Sequence, residues 1–137
     1  MKNVDGDGKL DLAVANNISN TVSLFRNTAV SGSITTTSFA AKVDFAAGSN
    51  PYSVSIGDLD GNGKPDLAVT SAAANTVSVF RNNDATGVIN ASTFVAKVDF
   101  ATGSNPYSIA IGDIDGDSKL DLALANNTSN SISILRN

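Results

Sequence analysis

The chain has 137 residues with no Cys, His, Trp or Glu, and its 13 acidic residues, all Asp, outweigh 9 Lys and Arg to give a net charge of −4. An acidic chain lacks the basic face that neutralises phosphates, which excludes nucleic acid as the expected partner. No apolar run approaches the roughly 18 residues of a membrane helix, and without Cys there is neither a disulfide framework nor a thiolate zinc site.

The start, Met1-Lys2-Asn3-Val4-Asp5, carries no apolar segment and does not read as a secretory signal. It leads at once into an Asp-rich stretch that recurs. Asp5-Gly6-Asp7, Asp60-Gly61-Asn62 and Asp115-Gly116-Asp117 stand 55 residues apart. Phe39 to Tyr52 is repeated almost letter for letter as Phe94 to Tyr107. The chain therefore reads as one partial repeat domain over 1–137, about two and a half units of 55 residues: 3–57, 58–112 and 113–137.

Within the second unit the apolar residues alternate, the signature of half-buried strands. Strand A is expected around 52–57, where Tyr52, Val54 and Ile56 alternate with Ser53 and Ser55. Strand B follows at 66–70 with Leu67 and Val69, and strand C at 76–81 with Val77 and Val79. Strand D is expected over 94–100, where Phe94, Ala96, Val98 and Phe100 alternate with Val95, Lys97 and Asp99. Its charges suit an outer edge, where they discourage pairing with other chains. Gly48-Ser49-Asn50-Pro51, Gly61-Asn62-Gly63 and Asn82-Asn83-Asp84 punctuate the runs. No window has helical periodicity. The fold class is all-β, built from propeller-type blades of four antiparallel strands.

Between strands A and B lie three loops of one design. They read Asn3-Val-Asp5-Gly-Asp7-Gly-Lys9-Leu-Asp11, Asp58-Leu-Asp60-Gly-Asn62-Gly-Lys64-Pro-Asp66 and Asp113-Ile-Asp115-Gly-Asp117-Ser-Lys119-Leu-Asp121. Side-chain oxygens at positions 1, 3, 5 and 9 converge when the chain turns sharply at position 6, and the carbonyl of the lysine at position 7 completes a cage. Such a set matches calcium, a hard cation that takes six to eight oxygens at about 2.3–2.6 Å. Asp and Gly also make ordinary turns, but three loops in register take ten of the thirteen Asp residues. Carboxylates gathered this closely repel unless a cation neutralises them. An EF-hand would need a Glu at position 12 and flanking helices, whereas Val14, Val69 and Leu124 stand there. Asn3 at position 1 makes the first loop the weakest, and Ser118 takes a turn position that favours Gly.

The run Pro51-Tyr-Ser-Val-Ser-Ile-Gly-Asp-Leu-Asp-Gly-Asn-Gly-Lys-Pro-Asp-Leu-Ala-Val69, followed by Asn75-Thr-Val-Ser-Val-Phe80, resembles the FG-GAP/VCBS repeat. It is similar to the calcium-loop blades of the integrin α-subunit propeller. The resemblance spans essentially the whole chain. It implies a propeller with calcium in each A–B loop, used at the bacterial cell surface or in a secreted protein for adhesion, carbohydrate binding or protein contact. The chain departs from that pattern in being too short to close a full ring.

No nucleophile stands beside a base, and outside the loops the only carboxylates are Asp44, Asp84 and Asp99, so no enzymatic activity is expected. A carbohydrate or protein ligand would meet the face opposite the calcium loops. Asn16–Asn20, Ser71–Asn75, Asn126–Asn130, Gly48–Asn50 and Gly103–Asn105 gather there, although Asn and Ser are also good turn formers. Tyr52 and Tyr107 suit packing better than sugar stacking. The strand order B-C-D, A-B-C-D, A-B-C leaves incomplete blades at both ends. The alternative to a recognition module is therefore a self-assembling structural fragment of a larger propeller, with homo-oligomers formed through those ends.

Overall fold

The computed structural model describes residues 1–30, 32–84 and 87–137. Among them are ten strands and no helix, arranged as three antiparallel sheets. Blade 1 comprises β1 (Leu12–Asn16), β2 (Thr21–Phe25) and β3 (Val43–Ala46). Blade 2 has four strands, β4 (Pro51–Gly57), β5 (Asp66–Ser71), β6 (Thr76–Phe80) and β7 (Val98–Ala101). Blade 3 holds β8 (Pro106–Gly112), β9 (Asp121–Asn126) and β10 (Ser131–Leu135). Each is a meander in which sequence neighbours pair, giving the strand order B-C-D, A-B-C-D, A-B-C. The turns between strands B and C close on Asn20, Asn75 and Asn130, at φ of 57°, 56° and 48°. Asn tolerates this left-handed region better than most side chains.

The blades stack face to face, and alternation decides what each face carries. Val22, Leu24 and Phe45 of blade 1 meet Leu67, Val69, Phe80, Ile89 and Phe94 of blade 2 in the main core. Phe94 sets its ring edge-to-face against Phe45 at 5.1 Å and Phe80 at 6.1 Å. On the other face of blade 2, Ala68 and Val77 pack on Ile109, Leu122 and Leu124 of blade 3. Because β5 lies at the centre of the middle sheet, all six of its residues are buried. Tyr52 and Tyr107 stack with centroids 4.1 Å apart, joining neighbouring A strands as packing residues.

Strand D departs from the expected 94–100. β7 covers only Val98–Ala101, and Phe94 joins through an isolated bridge to Asn82. A one-residue slip explains this: Asn82 faces Phe94 while Val79 faces Val98, so three steps on strand C match four on strand D. An extra residue turns the following side chains to the opposite face. Phe94 thus enters the core with blade 1, whereas Phe100 lies opposite Val77 on the side facing blade 3. Blade 1 repeats the slip, with Asn27 facing Phe39 and Leu24 facing Val43. The charges expected on the outer strand are there: Asp99 accepts hydrogen bonds from Ser78 Oγ at 2.6 Å and Lys97 Nζ at 2.5 Å.

The two interfaces are not equally filled. Between blades 2 and 3 a cavity of about 600 Å³ is lined by Val79, Val98, Phe100, Leu122 and Leu135. Those residues occupy the repeat positions of Leu24, Val43, Phe45, Leu67 and Phe80, which in the first interface surround Ile89 and Phe94. Phe100 is consequently 43% exposed, where Phe45 is 9% exposed.

Candidate metal centre

The three Asp-rich loops leave strand A and enter strand B, and their backbone amides turn inward onto the carboxylates. In loop 2, Asp58 accepts from the N–H groups of Asn62 (3.0 Å) and Gly63 (2.8 Å), and Asp60 also accepts from Asn62 (3.2 Å). The side-chain oxygen of Asn62 accepts from Lys64 N–H at 2.8 Å. Loop 3 repeats the scheme. Asp113 takes the amides of Gly116 (2.7 Å) and Ser118 (3.0 Å), Asp115 that of Asp117, and Asp117 that of Lys119. In loop 1, Asn3 accepts from Gly6, Asp5 from Asp7, and Asp7 from Lys9. The turn at position 6 is left-handed in every copy, with φ of 88° at Gly8, 84° at Gly63 and 70° at Ser118. A side chain in that region costs about 1–2 kcal/mol, so loop 3 carries strain the others lack.

The ninth position behaves differently from the rest. Asp11, Asp66 and Asp121 are almost fully buried, and each uses both carboxylate oxygens on backbone amides. Asp66 accepts from Leu59 N–H at 2.8 Å and Asn82 N–H at 2.7 Å. Asp11 binds the amides of Val4 and Asn27, and Asp121 those of Ile114 and Asn137, in the same way. This residue pins the loop to the chain leaving strand C. Burial pushes the Asp11 and Asp66 carboxyls above their ordinary pKa, against the pull of those amides. Asp121 moves the other way, held low by the Asn137 and Ile114 amides.

Oxygens of Asp58, Asp60 and Asp66 lie within 4.8 Å of one another, as do those of Asp113, Asp115 and Asp117. No other such trio of acidic groups occurs among the described residues; loop 1 carries Asn3 where the other two loops have Asp58 and Asp113. Periodicity and loop pattern passed over a further recurring residue at these loops. Arg26, Arg81 and Arg136 recur at the 55-residue spacing, each just after strand C, and reach across to the loop. Arg26 Nε pairs with Asp5 at 2.5 Å and its Nη2 with Asp7 at 3.3 Å, spending both carboxylates on one guanidinium. Arg136 pairs with Asp115 and, at 3.5 Å, with Asp117. Arg81 stands furthest off, 3.7 Å from Asp60. The signal was present in the sequence as the recurring Arg-Asn pair at 26–27, 81–82 and 136–137.

Loop 2 therefore fits a hard cation best. It has three convergent carboxylates, one of them buried with its charge poorly compensated, and the least engaged arginine. The amide oxygen of Asn62 and the carbonyl of Lys64 belong to the same turn. In loop 3 the trio excludes Asp121, and in loop 1 the guanidinium already supplies positive charge.

On the opposite side of the molecule the B–C turns and the D–A connections interlock. Asn20 accepts from Asn50 N–H and Asn75 from Asn105 N–H, both at 2.8 Å, tying each blade to the next. Part of the amide-rich surface expected to meet a ligand is thus used in holding blades together.

The model of the FG-GAP-like repeat matches residues 3–69 and again 58–124, two copies offset by the period read from the Asp loops. No curated protein matches the chain.

Proposed function

The chain belongs to the FG-GAP-like repeat family, and from that premise we propose that it is a calcium-stabilised propeller-type segment serving adhesion or recognition of a carbohydrate or protein ligand. The family is a structural and ligand-binding repeat rather than a known enzyme family, and its members are typically extracellular or surface modules. A secreted or cell-surface setting supplies the millimolar calcium that sites of this kind use.

The single observation that carries the reading is loop 2, where Asp58, Asp60 and buried Asp66 bring their oxygens within 4.8 Å. Bound calcium would neutralise that cluster and fasten the A–B loop, and with it the blade. Asp58, Asp60, Asn62, Asp66 and the Lys64 carbonyl are the ligands assigned. Asp113, Asp115, Asp117, Asp121 and the Lys119 carbonyl form a second set. Asn3, Asp5, Asp7, Asp11 and the Lys9 carbonyl form the weakest, because Asn3 replaces a carboxylate there and Arg26 competes for Asp5 and Asp7.

Extracellular calcium modules bind at roughly 10⁻⁴–10⁻³ M, so 10 mM calcium stabilises each occupied site by about 1.4–2.7 kcal/mol. Thermal melts followed by far-UV circular dichroism, in EDTA, calcium or magnesium, test this. The midpoint should rise by several degrees with calcium and much less with magnesium. A folded protein whose midpoint ignores calcium would reduce the loops to turns and sink the metal assignment.

A further inference from the structure

Each blade has two sides, and inside the chain the strand-C side of one blade always meets the strand-B side of the next. Val22, Leu24 and Phe45 meet Leu67, Val69 and Phe80, while Val77 meets Leu122 and Leu124. Two sides meet no neighbour within the chain, and they are the two complementary kinds. On blade 3, Ile132 is 74% and Ile134 49% exposed, at the repeat positions where Val22, Leu24 and Val77 are 0% exposed. On blade 1, Ile34 is 84% and Val14 36% exposed, at the positions of Ile89 (8%) and Val69 (0%). Ile114 in the blade 3 loop is 52% exposed, whereas Val4, its counterpart, is 4% exposed.

A polar clasp repeats with the same logic. Asn82 Nδ2 donates to the Val4 carbonyl of the preceding blade at 3.0 Å and to Pro65 O at 3.2 Å. Asn137 Nδ2 donates likewise to the Leu59 carbonyl. Asn27 makes the within-repeat bond, to Leu10 O at 3.0 Å, and has no preceding blade to clasp. The carbonyl at the matching place on the other end belongs to Ile114.

We propose that the chain associates head to tail with a second copy, the strand-B side of blade 1 packing on the strand-C side of blade 3, with Asn27 of one copy clasping the Ile114 carbonyl of the other. The occupant is another copy because each exposed side is already shown, twice within the chain, to fit the other kind. The contact is heterologous, joining different surfaces of the two copies, so each copy keeps one unused side after pairing and the pair as a whole exposes one side of each kind.

Sedimentation velocity on the full chain with calcium, from low micromolar to submillimolar concentration, tests this with two variants. Ile34→Asp spoils the blade 1 side and Ile132→Asp the blade 3 side. Both residues are largely exposed, and circular dichroism checks that both variants fold. The wild type should show species heavier than monomer that grow with concentration, while each variant alone stays monomeric. Mixed, the variants should form a one-to-one dimer and nothing larger, since each supplies the side the other lacks. A wild type that stays monomeric throughout, variants that associate like it, or a mixture that fails to pair would each overturn the proposal.

Discussion

Phe94 and Phe39 are the same residue at the same place in successive repeats, so replacing each with Ala isolates the worth of the contact between blades. Phe94 is 7% exposed and holds edge-to-face contacts with Phe45 and Phe80. Phe39 is half-buried and has no blade before it. Removing a buried Phe costs about 3–5 kcal/mol through lost transfer energy and the cavity left behind. The two ring contacts, worth about 0.5–1.5 kcal/mol each beyond burial, place Phe94→Ala towards the upper end. Phe39→Ala forfeits only part of a Phe transfer energy, about 1–2 kcal/mol. Urea denaturation followed by far-UV circular dichroism reads both. Since a whole domain is stable by only about 5–15 kcal/mol, Phe94→Leu provides a milder version should the Ala variant fail to fold. Equal losses for the two Ala variants would mean that blades 1 and 2 do not pack as described, and the assignment of Phe94 to the shared core would fall.

Asp66→Ala should leave the buried N–H groups of Leu59 and Asn82 without an acceptor, at roughly 1–3 kcal/mol each, even in EDTA. Asp66→Asn, which keeps one acceptor oxygen, should lose less; a melt in EDTA unchanged by the Ala variant would contradict the pinning role. Asp44 and Asp99 are held below the usual carboxylate pKa by Lys42 with Ser23 and by Lys97 with Ser78. Depressed values stabilise the fold fully above the unfolded value of about 3.9, and that stability disappears as pH falls through the folded values. Lys97→Met should therefore shrink the stability lost below about pH 4, as measured by urea midpoints; an unaltered pH profile would count against the pair. Gly48→Ala should destabilise, because its Cβ would stand 2.6 Å from Ser71 Cβ, and Ser71→Gly in the same chain should restore much of the loss. Absence of that rescue would show the clash to be elsewhere.

The repeat made most of the fold legible. A 55-residue period fixes which residues are equivalent, and alternation at Leu67–Val69 and Val77–Val79 marks strands without ambiguity. It failed at Phe94–Phe100, where alternation runs on through a slip that only pairing with strand C exposes. A hydrophobic run of period two looks the same whether or not its partner strand falls one residue short. The loop residues were legible as a set but not as individuals. Positions 1, 3, 5 and 9 look like equal oxygen donors in the sequence, yet the ninth is buried and committed to two amides in every copy. Arg26, Arg81 and Arg136 were hidden for a different reason: they lie about twenty residues beyond the carboxylates they reach, on the far side of a two-strand turn.

Those two features together determine what an ion could contribute. Because Asp11, Asp66 and Asp121 pin their loops through peptide N–H groups, and positions 1, 3 and 5 collect further amides, each loop takes its shape from the chain itself. On the proposed calcium reading, the ion would meet carboxylates already tied by these amides, so its contribution would add to theirs, unlike small metal domains in which binding and folding are one event. The arginine grades that increment. Where the guanidinium sits on two carboxylates, as Arg26 does, a cation must displace an ion pair before it binds; where it stands back, as Arg81 does, the negative charge is left for the ion. On the same proposed reading, loops of nearly one sequence would then differ in affinity, loop 2 binding most tightly because Arg81 stands back while Arg26 and Arg136 each engage two carboxylates. Replacing Arg26 with Met should strengthen calcium binding at loop 1 while weakening the calcium-free fold, and calorimetric titration would read the first effect. Binding unchanged by that substitution would return the ranking to Asn3 alone.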